Sequence, residues 1–103
     1  MLPKRYRLTT ADFKNFKGAH VLHTPHFLLR VKRAERGRVA AVVSTAVAKR
    51  AVVRNTLRRR VYAVFEKEPP SSILLVVSAK RGAAELSFQE IRQEVLGALT
   101  RIA

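Results

Sequence analysis

The sequence predicts an α+β fold: a single sheet of about four strands packed with three helices, in the order α-β-β-β-α-β-α, within one domain covering residues 1–103. Three observations predict it. A chain of 103 residues has room for one two-layer core and not for two. Its longest apolar runs, at 39–43 and 73–77, are strand-sized, whereas other segments repeat their apolar residues at helical spacing. No internal repeat, low-complexity tract or dividing linker interrupts these elements. One sheet with helices laid on it buries both kinds of apolar face.

The elements follow in order. Thr9-Thr10-Ala11-Asp12 has the form of a capping box, and a short helix runs from about residue 10 to 17, stopped by Gly18. Residues 27–32, 39–44 and 73–79 read as strands, residues 19–22 add a short edge strand, and Glu35-Arg36-Gly37 supplies the turn between 27–32 and 39–44. A second helix covers about residues 51–66 and ends before Pro69-Pro70. With about 100° between successive residues, Val53, Leu57, Val61, Val64 and Phe65 fall within an arc of roughly 120°, a stripe for the core. Arg54, Arg58, Tyr62, Asn55 and Arg59 follow in angular order away from that stripe, and Arg60 snorkels at its opposite edge. Ser87-Phe88-Gln89-Glu90 is a capping box opening a last helix, behind which Phe88, Ile91, Val95, Leu99 and Ile102 recur at helical spacing.

Charge narrows the partner. The chain carries 21 Lys and Arg against 7 Asp and Glu, a net charge of +14, while its 48% hydrophobic content argues for a folded chain. Sixteen of the bases and only two acids, Asp12 and Glu35, lie in residues 1–65; the remainder is balanced. Arg outnumbers Lys 14 to 7, which favours phosphate recognition through the planar guanidinium. Lys49 to Arg60 holds six bases and no acid. An ordinary solvated helix face interleaves Glu for pairing one turn away, so this face reads as facing RNA or DNA phosphates.

Other classes are disfavoured. Absence of cysteine removes disulfides and thiolate metal sites, the apolar runs are too short to span a bilayer, and no signal-peptide core follows the first residues, so a cytoplasmic protein is expected. Asp12, the single Asp, reads as a helix cap, and a protein-based metal nuclease needs several convergent carboxylates. His20, His23 and His26 stand three apart, but in an extended stretch that spacing points successive side chains to opposite faces, so no metal is expected there. Phe13 and Phe16, three apart on the first helix, fit either the core or a stacking platform. No glycine-rich phosphate loop or nucleophile constellation is present.

The run from Val43-Ser44 through Ala51-Val52-Val53-Arg54-Asn55-Thr56-Leu57-Arg58-Arg59 resembles the signature of the protein subunit of bacterial ribonuclease P, Arg-Asn-Arg followed by an aliphatic residue and two more bases. Arg7-Leu8 and Asp12-Phe13 resemble that family's N-terminal pattern, Phe27-Leu28-Leu29 its central strand, and residues 73–86 with the capped last helix its C-terminal third. The resemblance implies a protein that does not itself cleave. The catalyst is a large RNA that uses magnesium ions to remove the 5′ leader of precursor transfer RNA. The protein contributes no bound cofactor and needs no protein partner or membrane. It implies further that the basic helix and its neighbouring loop bind the ribonuclease P RNA, that a cleft between the first helix and the sheet holds the single-stranded leader, and that a left-handed βαβ crossover surrounds the basic helix.

By the resemblance, Arg54, Asn55 and Arg59 match RNA-contacting positions, with Arg58 beside them and Lys49 and Arg50 keeping the region basic. Phe13 and Phe16 match the leader cleft, to which positions Arg30 and Tyr62 also belong. This chain departs from the pattern at Thr56, where a second Arg is expected, at Tyr62, where a base is common, at Thr45-Ala46 in place of a Lys pair, and at Arg30 in place of Tyr. A ribosomal or other structural RNA-binding protein is the alternative of similar size and charge, distinguished by binding ribosomal RNA. A stand-alone nuclease is the enzyme alternative, opposed by the scarcity of carboxylates.

Overall fold

Four strands, β1 (His20–His23), β2 (Phe27–Arg33), β3 (Arg38–Val42) and β4 (Ile73–Ala79), form one mixed sheet in the order β1-β2-β4-β3 in the computed structural model, which describes residues 3–8 and 19–101. β4 pairs antiparallel with β2 and parallel with β3, and β1 adds an antiparallel edge to β2. Leu74, Leu75, Val76 and Val77 are all buried, which is why β4 is continuously apolar where an alternating strand would not serve. Two helices complete the described chain, α1 (Ala51–Val64) between β3 and β4, and α2 (Phe88–Thr100) after a 3-10 turn at Ala83–Glu85. The helix expected over residues 10–17, with its Thr9–Asp12 cap, lies outside the described residues.

Both helices cover one face of the sheet. Phe27, Leu29 and Val31 of β2, Val39 and Ala41 of β3, and Leu75 and Val77 of β4 meet Leu57, Val61 and Val64 of α1 and Ile91, Val95 and Ala98 of α2. Full burial of each large side chain contributes about 1.5–3 kcal/mol. The opposite face, by the same alternation, carries Leu28, Arg30 and Lys32, Leu74 and Val76, and Arg38, Ala40 and Val42, with Val21 on the edge strand.

The connection at 34–37 is not the tight turn of a hairpin. β4 lies between β2 and β3, so this segment must pass across the start of β4, and Ala34 N–H donates to Ser72 O at 3.0 Å as it does so. At Gly37 a Cβ would come within 1.6 Å of Pro70 O, so only glycine lets the two segments cross. Ser72 turns the chain into β4 with a left-handed φ of 58°. α1 stops at Val64, two residues earlier than expected, and Phe65 caps it with its ring fully buried.

α2 keeps its expected capping box, in which Glu90 N–H donates to Ser87 Oγ at 3.2 Å and Ser87 N–H to Glu90 Oε1 at 3.0 Å. Hydrogen bonding from the Ser87 backbone foremost, and from the Ser87 side chain, holds the Glu90 carboxyl below its ordinary pKa. Phe88 corrects the apolar stripe: as the first helical residue it projects past the core and is 37% exposed.

Candidate nucleic-acid interface

α1 begins with positive charge stacked on the positive end of its own dipole. Arg50 is the N-cap residue in extended conformation, its side chain caps nothing, and the first turn contains no acid. First-turn amides left without a side-chain acceptor, together with Lys49, Arg50 and Arg54 around them, form the arrangement that binds an anionic oxygen. Lys49, Arg50, Asn55 and Arg59 are exposed.

The other bases of this segment are partly committed within the protein. Arg54 is half-buried and folds back, its Nη1 donating to Ala48 O at 2.9 Å and Lys49 O at 2.7 Å, so that one end of the guanidinium shapes the loop before the helix. Its Nε and Nη2 lie outside those two bonds. Arg58 donates from Nη2 to Asn55 Oδ1, so the two side chains are tied together one turn apart on the helix. Arg60 is half-buried and donates to Leu86 O at 3.1 Å, the snorkelling path expected for it. Thr56 donates to the helix's own Val52 O at 2.9 Å and, among the described residues, bonds to no other element.

Tyr62 sits at the outer edge of β3. Its hydroxyl accepts from Ala41 N–H at 3.2 Å, and the Arg7 guanidinium lies 5.4 Å from the centre of its ring. Arg7 reaches that place because residues 7 and 8 run alongside β3: Arg7 bridges to Val39, and Leu8 N–H donates to Val39 O at 3.0 Å. The buried Arg7 Nε has no hydrogen-bond partner among the described residues. Arg30 is exposed on the sheet face opposite α1, opposite Val21 on β1 and Val76 on β4. The structure thus groups Lys49 and Arg50 at the entry of α1 with Arg54, Asn55, Arg58 and Arg59 on it, places Tyr62 at the sheet edge, and sets Arg30 on the other face. Phe13 and Phe16 lie outside the described residues.

His26 serves the fold. His26 Nδ1 lies 2.8 Å from Glu94 Oε1, and Glu94 Oε2 accepts from the Thr24 hydroxyl at 2.6 Å and from His26 N–H at 2.8 Å. This network ties the β1–β2 turn to α2. Burial pushes the Glu94 carboxyl up, but the bonds from Thr24 and His26 together outweigh it and leave the pKa below the ordinary value. Among the described residues no three His, Cys, Asp or Glu gather as metal ligands, and no helix is long and apolar enough to cross a membrane.

Sequence reasoning missed the Tyr62–Ala41 bond and the Thr24–His26–Glu94 network. For Tyr62 a signal existed: a tyrosine beside the buried stripe needs a partner for its polar tip. Glu94 lies some 70 residues from Thr24, and nothing local announces that pairing.

The ribonuclease P family model matches residues 2–103. The chain is 39% identical to the ribonuclease P protein component of Geobacter sp. (strain M21), over 97% of this chain and 90% of that protein. It is 36% identical to that of Citrifermentans bemidjiense with the same coverage. Its fold matches the ribonuclease P protein of Staphylococcus aureus with a TM-score of 0.81 at 23% identity, covering 96% of both chains. It matches that of Thermotoga maritima with a TM-score of 0.81 at 25% identity, covering 96% of this chain and 99% of the other.

Proposed function

The chain belongs to the ribonuclease P protein family, a family of RNA-binding components of a transfer-RNA-processing endoribonuclease, and on that premise we propose that it is the non-catalytic subunit. In this reading α1 binds the ribonuclease P RNA, and the sheet face bearing Arg30, with Tyr62 at its edge and Phe13 and Phe16 from the first helix, takes the 5′ leader of precursor transfer RNA. The phosphodiester chemistry and its magnesium ions belong to the RNA, in the cytoplasm.

The observation that carries the reading is the start of α1: uncapped, without an acid in its first turn, and flanked by Lys49, Arg50 and Arg54. Such a helix end is destabilised by its own cations until an anion arrives. A phosphate backbone supplies anions at the required density, and neutralising them releases condensed counterions. Cationic side chains can also replace part of the magnesium that an RNA otherwise needs for screening.

Reconstitution tests it. Purified protein, ribonuclease P RNA and precursor transfer RNA are combined with each left out in turn. Protein alone should leave the precursor intact, and added to the RNA it should lower the magnesium concentration at which the leader is removed. Site-specific, magnesium-dependent cleavage by RNA-free protein would overturn the assignment.

A further inference from the structure

A second basic surface lies at the end of the sheet away from the start of α1. β2 ends there and β3 and β4 begin there, and the 14 residues of α1 put about 20 Å between the two ends. Two adjoining depressions share Glu35 and Arg36. One, of about 340 Å³, is lined by Lys32, Arg33, Arg38 and Leu74 besides the shared pair; the other, of about 470 Å³, includes Arg5, Tyr6, Ser71 and Ser72. Among the described residues their linings hold the cations Arg5, Lys32, Arg33, Arg36 and Arg38 and the carboxylate of Glu35, and Lys32 and Arg38 make further interactions of their own.

The register connects this groove to the face that carries Arg30. Lys32 lies opposite Leu74, and Leu74 opposite Arg38, so the three form one lateral row across the sheet. Arg30, Val76 and Ala40 form the next row, about 7 Å away. A strand of RNA crossing the sheet at Arg30 therefore runs from one row to the next and over the rim at Arg36. Beyond the rim stand Arg5 and the hydroxyl-bearing Ser71 and Ser72, in a segment locked to the rim by the Ala34–Ser72 hydrogen bond and the crossing at Gly37. Leu74 and Ala34 add apolar surface among these cations, a mixture that suits tracking a backbone without reading bases.

We infer that this groove binds the phosphate backbone of the distal part of the single-stranded 5′ leader, lengthening the path that starts at Arg30. The inference rests on the proposed leader-binding role of that sheet face. Exposed Arg36 and Arg5 make the phosphate contacts beyond the rim, and Glu35, the acid among the described lining residues, weakens them.

The test uses the protein assembled with ribonuclease P RNA and precursors whose leaders are shortened one nucleotide at a time. Wild-type affinity should rise with leader length and then level off. The Arg5→Ala/Arg36→Ala double variant should level off at a shorter leader, bind short-leader and mature transfer RNA like wild type, and lower the salt slope for the longest leader by roughly 1.4, at about 0.7 per single-strand contact. Arg36→Ala alone, which leaves Arg5 on the Tyr6 ring, should give about half that change. Glu35→Gln should act in the opposite sense and tighten only long leaders. Unchanged length dependence in the double variant would overturn the inference while leaving the leader role intact. So would an equal loss for mature transfer RNA, or weakened assembly with ribonuclease P RNA alone. If wild-type affinity ignores leader length altogether, the leader role itself falls.

Discussion

Tyr62 reaches from α1 to the edge of β3 and accepts the Ala41 N–H at 3.2 Å, so one side chain of the basic helix caps a strand that would otherwise present an unpaired amide. The bond fixes how α1 lies on the sheet. Tyr62→Phe keeps the ring under Arg7 and removes only the acceptor. A loss of about 1–3 kcal/mol is expected, the cost of leaving a buried donor unsatisfied. Denaturant titration checks the magnitude, and faster hydrogen exchange at the Ala41 amide checks the place.

Acid should loosen the turn between β1 and β2. The folded Glu94 pKa is depressed, so its bonds contribute stability in full above the unfolded carboxylate value and lose it as pH falls through the lower folded value. Glu94→Gln should cost roughly 2 kcal/mol at neutral pH and remove this part of the acid dependence, since the amide does not titrate. Melting curves between neutral pH and the acid limb distinguish this from a uniform loss, which would leave both profiles parallel.

Arg54 and Arg59 should separate cleanly although both belong to the same motif. Arg54→Ala removes the donors to Ala48 O and Lys49 O, so it should lower stability by about 1 kcal/mol and weaken RNA binding as well. Arg59 is exposed, and Arg59→Ala should stay within about 0.5 kcal/mol of wild-type stability. Its effect should appear in the RNA titration, as a salt slope reduced by just under one.

Thr56→Arg should tighten binding to the partner RNA. Among the described residues the Thr56 hydroxyl bonds to Val52 O of its own helix and to no other element, so the exchange breaks no hydrogen bond between them. One added phosphate contact would steepen the salt slope by just under one. An unchanged slope would mean that Arg58 or Arg60 already serves that phosphate.

What was legible in the sequence was what short-range chemistry dictates. The Ser87–Glu90 box opens the last helix because the two side chains exchange bonds within one turn, and the Leu57–Val61–Val64 stripe is buried because helical spacing aligns it. The bases of 49–60 were visible as charge, but their division into exposed Lys49, Arg50 and Arg59 and half-buried Arg54, Arg58 and Arg60 was not. For Arg54 and Arg60 that division depends on carbonyls at Ala48, Lys49 and Leu86, whose positions only the folded loops define. Strand order escaped for a related reason. Residues 34–37 look like a hairpin turn, and only β4, some forty residues later, shows that a strand must fit between β2 and β3.

That late central strand makes the order of synthesis matter. The register joins Phe27 to Ala79, so the sheet has a high contact order and cannot close until residue 79 has been made. α1 and its cations are complete by then, without a platform to hold them in line. A chain cut just before Ile73 would keep the charge and lose the geometry: it should still bind RNA steeply with salt, as any flexible polycation does, yet discriminate poorly between one RNA and another. Selectivity thus enters this protein through an apolar strand that carries no charge of its own.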